Sequence, residues 1–155
     1  MAGTITQSAT QAWVQMMSSE LYSLANNSGA VQNTTTNAAY GNGNSGNRYF
    51  SADFELRVTF ATAPTAGATI DLYVVPYGSD GTNSVTVATT ALPPGLYLGS
   101  FVVQAVTSLQ VLFLRNTGPL PDDYFTVAVF NNGTGQTLPS SSSTIKMRPV
   151  GEAYT

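Results

Sequence analysis

The chain contains no cysteine and no histidine among its 155 residues. Without thiolate or imidazole it lacks the usual ligands of zinc, haem and iron–sulfur clusters, and most nucleophile–base chemistry goes with them. No cofactor, metal or disulfide is expected, and the missing cysteines leave the redox compartment open. Charge is the second scarcity: 8% of residues are charged, against about 25% in an average soluble protein. Five Lys and Arg under a net charge of −3 cannot neutralise a run of phosphates or hold the chain to an anionic membrane, so neither nucleic acid nor membrane is an expected partner. No stretch approaches the ~20 apolar residues of a membrane span. Met1-Ala2-Gly3-Thr4-Ile5-Thr6 shows no basic region leading into an apolar core, so synthesis in the cytoplasm without a signal peptide is expected. The Asn-x-Ser/Thr sequons at Asn26, Asn33 and Asn132 then read as polar loop residues.

What is present is apolar residues, at 43%, set among Ser, Thr, Asn, Gln and Gly. A chain of this length buries roughly 70% of its unfolded surface, enough for one domain without staples. The organising stretch is Thr69-Ile70-Asp71-Leu72-Tyr73-Val74-Val75-Pro76. Ile70, Leu72 and Val74 form one apolar row, and Tyr73 and Val75 a second that Asp71 interrupts, so both faces need cover and the strand belongs mid-sheet. Pro76 and the turn at Asp80-Gly81 end it.

Other stretches follow the same period. Phe54, Leu56, Val58 and Phe60 alternate with Asp53, Glu55, Arg57 and Thr59. The turn Ala63-Pro64-Thr65-Ala66-Gly67 predicts a hairpin joining this strand to the one at Ile70, with Arg57 across it relieving Asp71. Further strands are expected over 84–90, 97–106 (Tyr97, Phe101 and Val103 on one row), 109–115, 124–131 and 145–148. Seven short strands with Gly, Pro and Asn between them predict an all-β fold: an antiparallel β-sandwich, jelly-roll-like, with a barrel as the alternative.

Two segments stand apart. Within 1–20, Trp13, Met16, Met17 and Glu20 run on to Leu21 and Leu24 at helical spacing, while Thr10 to Val14 fits an extended chain equally well. The reading taken is an N-terminal arm or edge segment ahead of one sandwich domain over 21–155. Residues 26–47, rich in Asn, Thr, Gly and Ser, are read as an exposed loop unable to hold a core.

Leu21-Tyr22-Ser23-Leu24-Ala25, the loop Asn33-Thr34-Thr35, Tyr49-Phe50-Ser51-Ala52-Asp53-Phe54-Glu55-Leu56 and Ser79-Asp80-Gly81-Thr82-Asn83 resemble small virion proteins of tailed bacteriophages. Leu120-Pro121-Asp122-Asp123-Tyr124, Val129-Phe130-Asn131-Asn132-Gly133-Thr134-Gly135 and Ile145-Lys146-Met147-Arg148-Pro149 resemble the end of the same pattern. The resemblance covers most of residues 21–149 and departs most in the first twenty. It implies a non-enzymatic β-sandwich structural protein, a head decoration or cement protein on the capsid surface of the virion. The major capsid protein of the same phage would be its partner, and the chain a homo-oligomer, with a trimer favoured. A tail or fibre component is the other virion role it implies.

Catalysis without His or Cys would need paired carboxylates, and Asp53, Glu55, Asp71, Asp80, Asp122 and Asp123 are the candidates. Each has a plainer role on a polar strand row, in a turn or at a strand start, so no catalytic residue is assigned. Asp80-Gly81-Thr82-Asn83 lacks the further carboxylates of a calcium loop. Tyr73, Tyr77, Tyr97 and Tyr124 with Trp13 could stack sugar rings, which makes a carbohydrate-binding module of a tail or fibre the competing function. Subunit or capsid contacts are expected at Trp13, Met16, Met17, Tyr73, Val75 and Tyr77, and removal of residues 1 to 20 is expected to leave the sandwich folded.

Overall fold

The computed structural model describes residues 5–7, 11–35, 37–42, 48–78, 95–150 and 152–154. In chain order the strands are β1 (Ile5–Gln7), β2 (Val14–Met17), β3 (Ser28–Val31), β4 (Tyr40–Gly41), β5 (Ser51–Val58), β6 (Thr69–Pro76), β7 (Leu96–Val102), β8 (Gln110–Thr117), β9 (Tyr124–Asn132), β10 (Thr144–Val150) and β11 (Glu152–Tyr154). Every pairing is antiparallel. One sheet runs β2-β10-β5-β8, the second runs β3-β9-β6-β7 with β4 also on β9, and β1 pairs β11 separately. The all-β sandwich expected from the alternation is what the chain forms.

The core lies between the two sheets. Phe54, Leu56 and Val58 of β5 and Ile145 and Met147 of β10 meet Ile70, Leu72 and Val74 of β6 and Phe125, Val127 and Val129 of β9, all fully buried. As predicted, β6 sits mid-sheet with both faces covered. Tyr73 and Val75 form a small cluster with Ala128 on the outer face of the second sheet, with Val31 and Phe130 packed against it.

Four expectations are corrected. Strands β5 and β6 are not a hairpin: β5 pairs with β10 and β8, β6 with β7 and β9, and the turn between them carries the chain from one sheet to the other. Gly67 at φ 78° makes that crossing, its N–H on the Val103 carbonyl at 3.1 Å. The Asn-rich segment is not all exposed loop, because it supplies β3 and β4 and buries Gln32, Asn37 and Asn42. Tyr97 does not share a row with Phe101. A bulge in β7 between Tyr97, opposite Tyr73, and Gly99, opposite Leu72, puts Tyr97 on the outer face while Phe101, opposite Ile70, faces the core. Finally, β2 is an edge strand whose Met16 and Met17 are fully buried in the shared core. Deleting residues 1 to 20 would empty those places, so a folded remnant is no longer expected. The strand predicted at 84–90 and the turn at Asp80 lie outside the described residues.

Thr126 of β9 is fully buried, and its hydroxyl has no hydrogen-bond partner. Thr126→Val keeps the shape and removes the unpaired group, so we expect it to raise stability by about 1 kcal/mol. A urea melt with an unchanged slope and a later midpoint would bear this out; a loss would show that the hydroxyl has a partner.

Candidate interaction surface

Register places Asp53, Glu55 and Arg57 of β5, Lys146 and Arg148 of β10, and Val111 and Phe113 of β8 together on the outer face of the first sheet. Alternation forces this grouping, since their neighbours fill the core. The guanidinium groups of Arg115 and Arg148 both donate to Asp53 Oδ2 at 2.7 Å, and the Asn116 N–H donates to Oδ1 at 3.0 Å. Burial pushes the Asp53 carboxyl up, but the Asn116 N–H and the two arginines outweigh it and hold the group below its usual range. Arg57 Nε donates to Glu55 at 2.7 Å.

Trp13 lies over this face. Its ring is 6.4 Å from that of Phe113, the Arg148 guanidinium sits 4.9 Å from its centroid, and Arg115 covers Phe113 at 4.2 Å. Two cation–π contacts and one shared carboxylate thus tie the entry to β2, with β10, β5 and β8, together from outside. Four of the five Lys and Arg in the chain stand here (Arg57, Arg115, Lys146, Arg148) against two carboxylates, Asp53 and Glu55. The face therefore carries about +2 in a chain of net charge −3.

A second surface adjoins it. Among the described residues nine large apolar side chains are exposed, and seven of them (Leu96, Tyr97, Val102, Val106, Leu109, Val111 and Phe113) belong to β7, β8 and the loop between. These two strands are the neighbouring edges of the two sheets.

The outer face of the second sheet is more closed. Ser100 Oγ donates to Asp71 Oδ1 at 2.5 Å, the Tyr97 hydroxyl lies 2.6 Å from Ser100 Oγ, and Asn132 Nδ2 donates to Asp71 Oδ2 at 2.9 Å. Asp71 is thus relieved by Ser100 and Asn132, not by Arg57, which stands in the other sheet. The Tyr73 and Tyr97 rings meet at 5.5 Å. Burial, then the charge of Asp71 and the neighbouring Tyr97, raise the Tyr73 hydroxyl above its ordinary pKa.

The residues expected to make contacts do not converge. Trp13 is half-buried on the first sheet, Met16 and Met17 have no exposed surface with which to touch a partner, Tyr73 and Val75 are buried on the opposite face, and the Tyr77 hydroxyl lies 3.3 Å from that of Thr34. Tyr73 and Trp13 stand on different sheets and cannot form one sugar platform. Among the described residues no three His, Cys, Asp or Glu side chains gather to hold a metal. Sequence reasoning passed over Phe113, Arg115 and Arg148; the signal for them was Arg57, Lys146 and Arg148 at polar positions of alternating strands, which only the sheet order brings together.

No protein family, curated protein sequence or solved structure matches this chain.

Proposed function

We propose that this chain is a non-enzymatic structural protein of a phage particle, a head decoration protein that seats the outer face of its first sheet on the capsid shell. The observation that supports it is the collection of four cations with Trp13 and Phe113 on one face of an otherwise acidic chain. Such a face has one orientation towards an acidic, partly apolar surface, and its ion pairs hold the side chains in place before docking. The resemblance to phage virion proteins names the shell as that surface.

The test uses shells of the parent phage prepared without this chain, sedimented with purified protein. Saturable binding that weakens with salt is expected, and Lys146→Glu should reduce affinity several-fold while leaving the fold intact. Absence of binding at low salt would sink the proposal.

One observation favours a carbohydrate-binding module instead. Phe50, 71% exposed, borders a cleft of about 350 Å³ with Arg48, Tyr49 and Asp122, and an open ring beside charged hydrogen-bonding groups suits a sugar. A glycan array separates the readings: hits abolished by Phe50→Ala, together with no shell binding, would establish the second.

A further inference from the structure

We infer that β8 is a self-association edge, on which a second copy of this chain pairs its own β8 antiparallel about a two-fold axis, joining the first sheets of two sandwiches into one. Exposed sheet edges invite pairing, and proteins that stay single blunt them with short strands, lysine, proline or inward charges. Of the other terminal strands, β2 and β3 have four residues each and β4 two, and β7, seven residues long, is interrupted at mid-strand by the bulge beside Gly99. Strand β8 is longer than any of these. Its eight residues, Gln110-Val111-Leu112-Phe113-Leu114-Arg115-Asn116-Thr117, contain no lysine and no proline. Among the described residues its far side has no neighbour in the sheet.

The side chains suit a copy of the same strand. Val111 and Phe113 are 40% and 42% exposed on the outer face, while Leu112 and Leu114 are half-buried against the core. Pairing would place apolar groups beside apolar groups on both faces. The only charge on the strand is Arg115, already held by Asp53. With the axis near Phe113 it never meets its own copy. Leu109, Val106 and Val102, also exposed, flank the contact and would be covered with it. An isologous contact needs only this one surface, which distinguishes it from the three-fold assembly expected from the sequence.

Geometry adds a constraint. A two-fold axis normal to the sheet keeps outer faces on the same side, so paired residues must share a face. Their numbers then sum to an even value, and one residue of β8 must stand opposite its own copy. In a chain without cysteine, single variants Val111→Cys, Leu112→Cys and Phe113→Cys each carry a unique thiol. The self-opposed position has a Cα separation within disulfide range.

The full chain should run in light scattering at twice its own mass. Phe113→Lys should return it to single-chain mass with unchanged circular dichroism, because the new cation faces Glu55 within the chain. One of the three cysteine variants should form a covalent dimer under mild oxidation. A wild-type chain of single or triple mass overturns the proposal, as does a dimer indifferent to Phe113→Lys in which none of the three thiols crosslinks. No shell is present in these measurements, so their failure is separate from failure of shell binding.

Discussion

Asn131→Asp is expected to destabilise the protein by about 4 kcal/mol at neutral pH, the scale of an uncompensated buried charge. Asn131 is fully buried at the end of β9. Its Nδ2 approaches the carbonyls of Leu24, Ala25 and Gln136 at 3.3, 3.1 and 2.9 Å, and its Oδ1 accepts from Thr134 Oγ1 at 2.6 Å. One amide therefore knits the entry to β3, the end of β9 and the loop towards β10. A carboxylate there would point an anion at three carbonyl oxygens. The introduced group would have a folded pKa raised above the unfolded value of about 3.9. The sign follows: the protonated form is tolerated, so the penalty is small near pH 4 and grows towards pH 7. Asn131→Ala, which leaves the carbonyls unpaired without adding charge, should cost about 2 kcal/mol at either pH. Denaturant melts of the three proteins at both pH values check this, and equal midpoints for Asn131→Asp and the parent chain would remove the amide from its role.

Asp53→Ala is expected to cost about 2 kcal/mol at pH 7, because it leaves the partly buried Arg148 and the Asn116 N–H without their acceptor, while water takes over at the exposed Arg115. The folded pKa of Asp53 is lowered. Its contribution is therefore complete above the unfolded value of about 3.9 and is lost as pH falls through the lower folded value. The difference between Asp53→Ala and the parent chain should thus shrink on acidification below about pH 4. Trp13 supplies a second readout. With Arg148 released from Asp53, the cation above the indole loses its anchor, and the tryptophan emission of the folded variant should shift. A constant difference between the two proteins from pH 7 to pH 2 would show that Asp53 does not carry the network. Glu20 should fade over the same acidic range: burial raises its carboxyl, but the N–H groups of Ser18 and Asn33 and the Asn37 amide bring it below its usual value.

The strands at Asp53, Ile70 and Tyr124 were legible because one face of each meets the core, which writes a period of two into the chain. Partnership was not legible. The turn after Phe60 has hairpin composition, but Gly67 and Thr65 hydrogen-bond to Val103 and Thr134, contacts distant in sequence that carry the chain across the sandwich. Nor does apolar periodicity detect a core position filled by an amide. Asn42 bonds Tyr49 and Pro121, Gln32 bonds Asn37, Ala38 and Val127, and Gln110 bonds Gln104 twice. Each sits in or beside a stretch that composition marks as loop or plain apolar run. In a chain so poor in charge, these neutral crosslinks hold connections that ion pairs hold elsewhere, and they satisfy both backbone and side chain in the interior. The surface was least legible, because Trp13, Arg115 and Arg148 meet only once β2, β10, β5 and β8 are ordered in that succession.

That succession also governs how the protein can be made. Strand β10, which leaves the ribosome after every other strand of its sheet, is inserted between β2 and β5. A nascent chain short of residue 144 holds β2 without β10, its one sheet neighbour among the described residues. Met16 and Met17 then lack the strand that hydrogen-bonds beside them. The first sheet therefore closes only once residue 150 has emerged, by threading a late strand between two earlier ones. Closure of this sheet is a step of high contact order, and a chain short of that point is exposed to association.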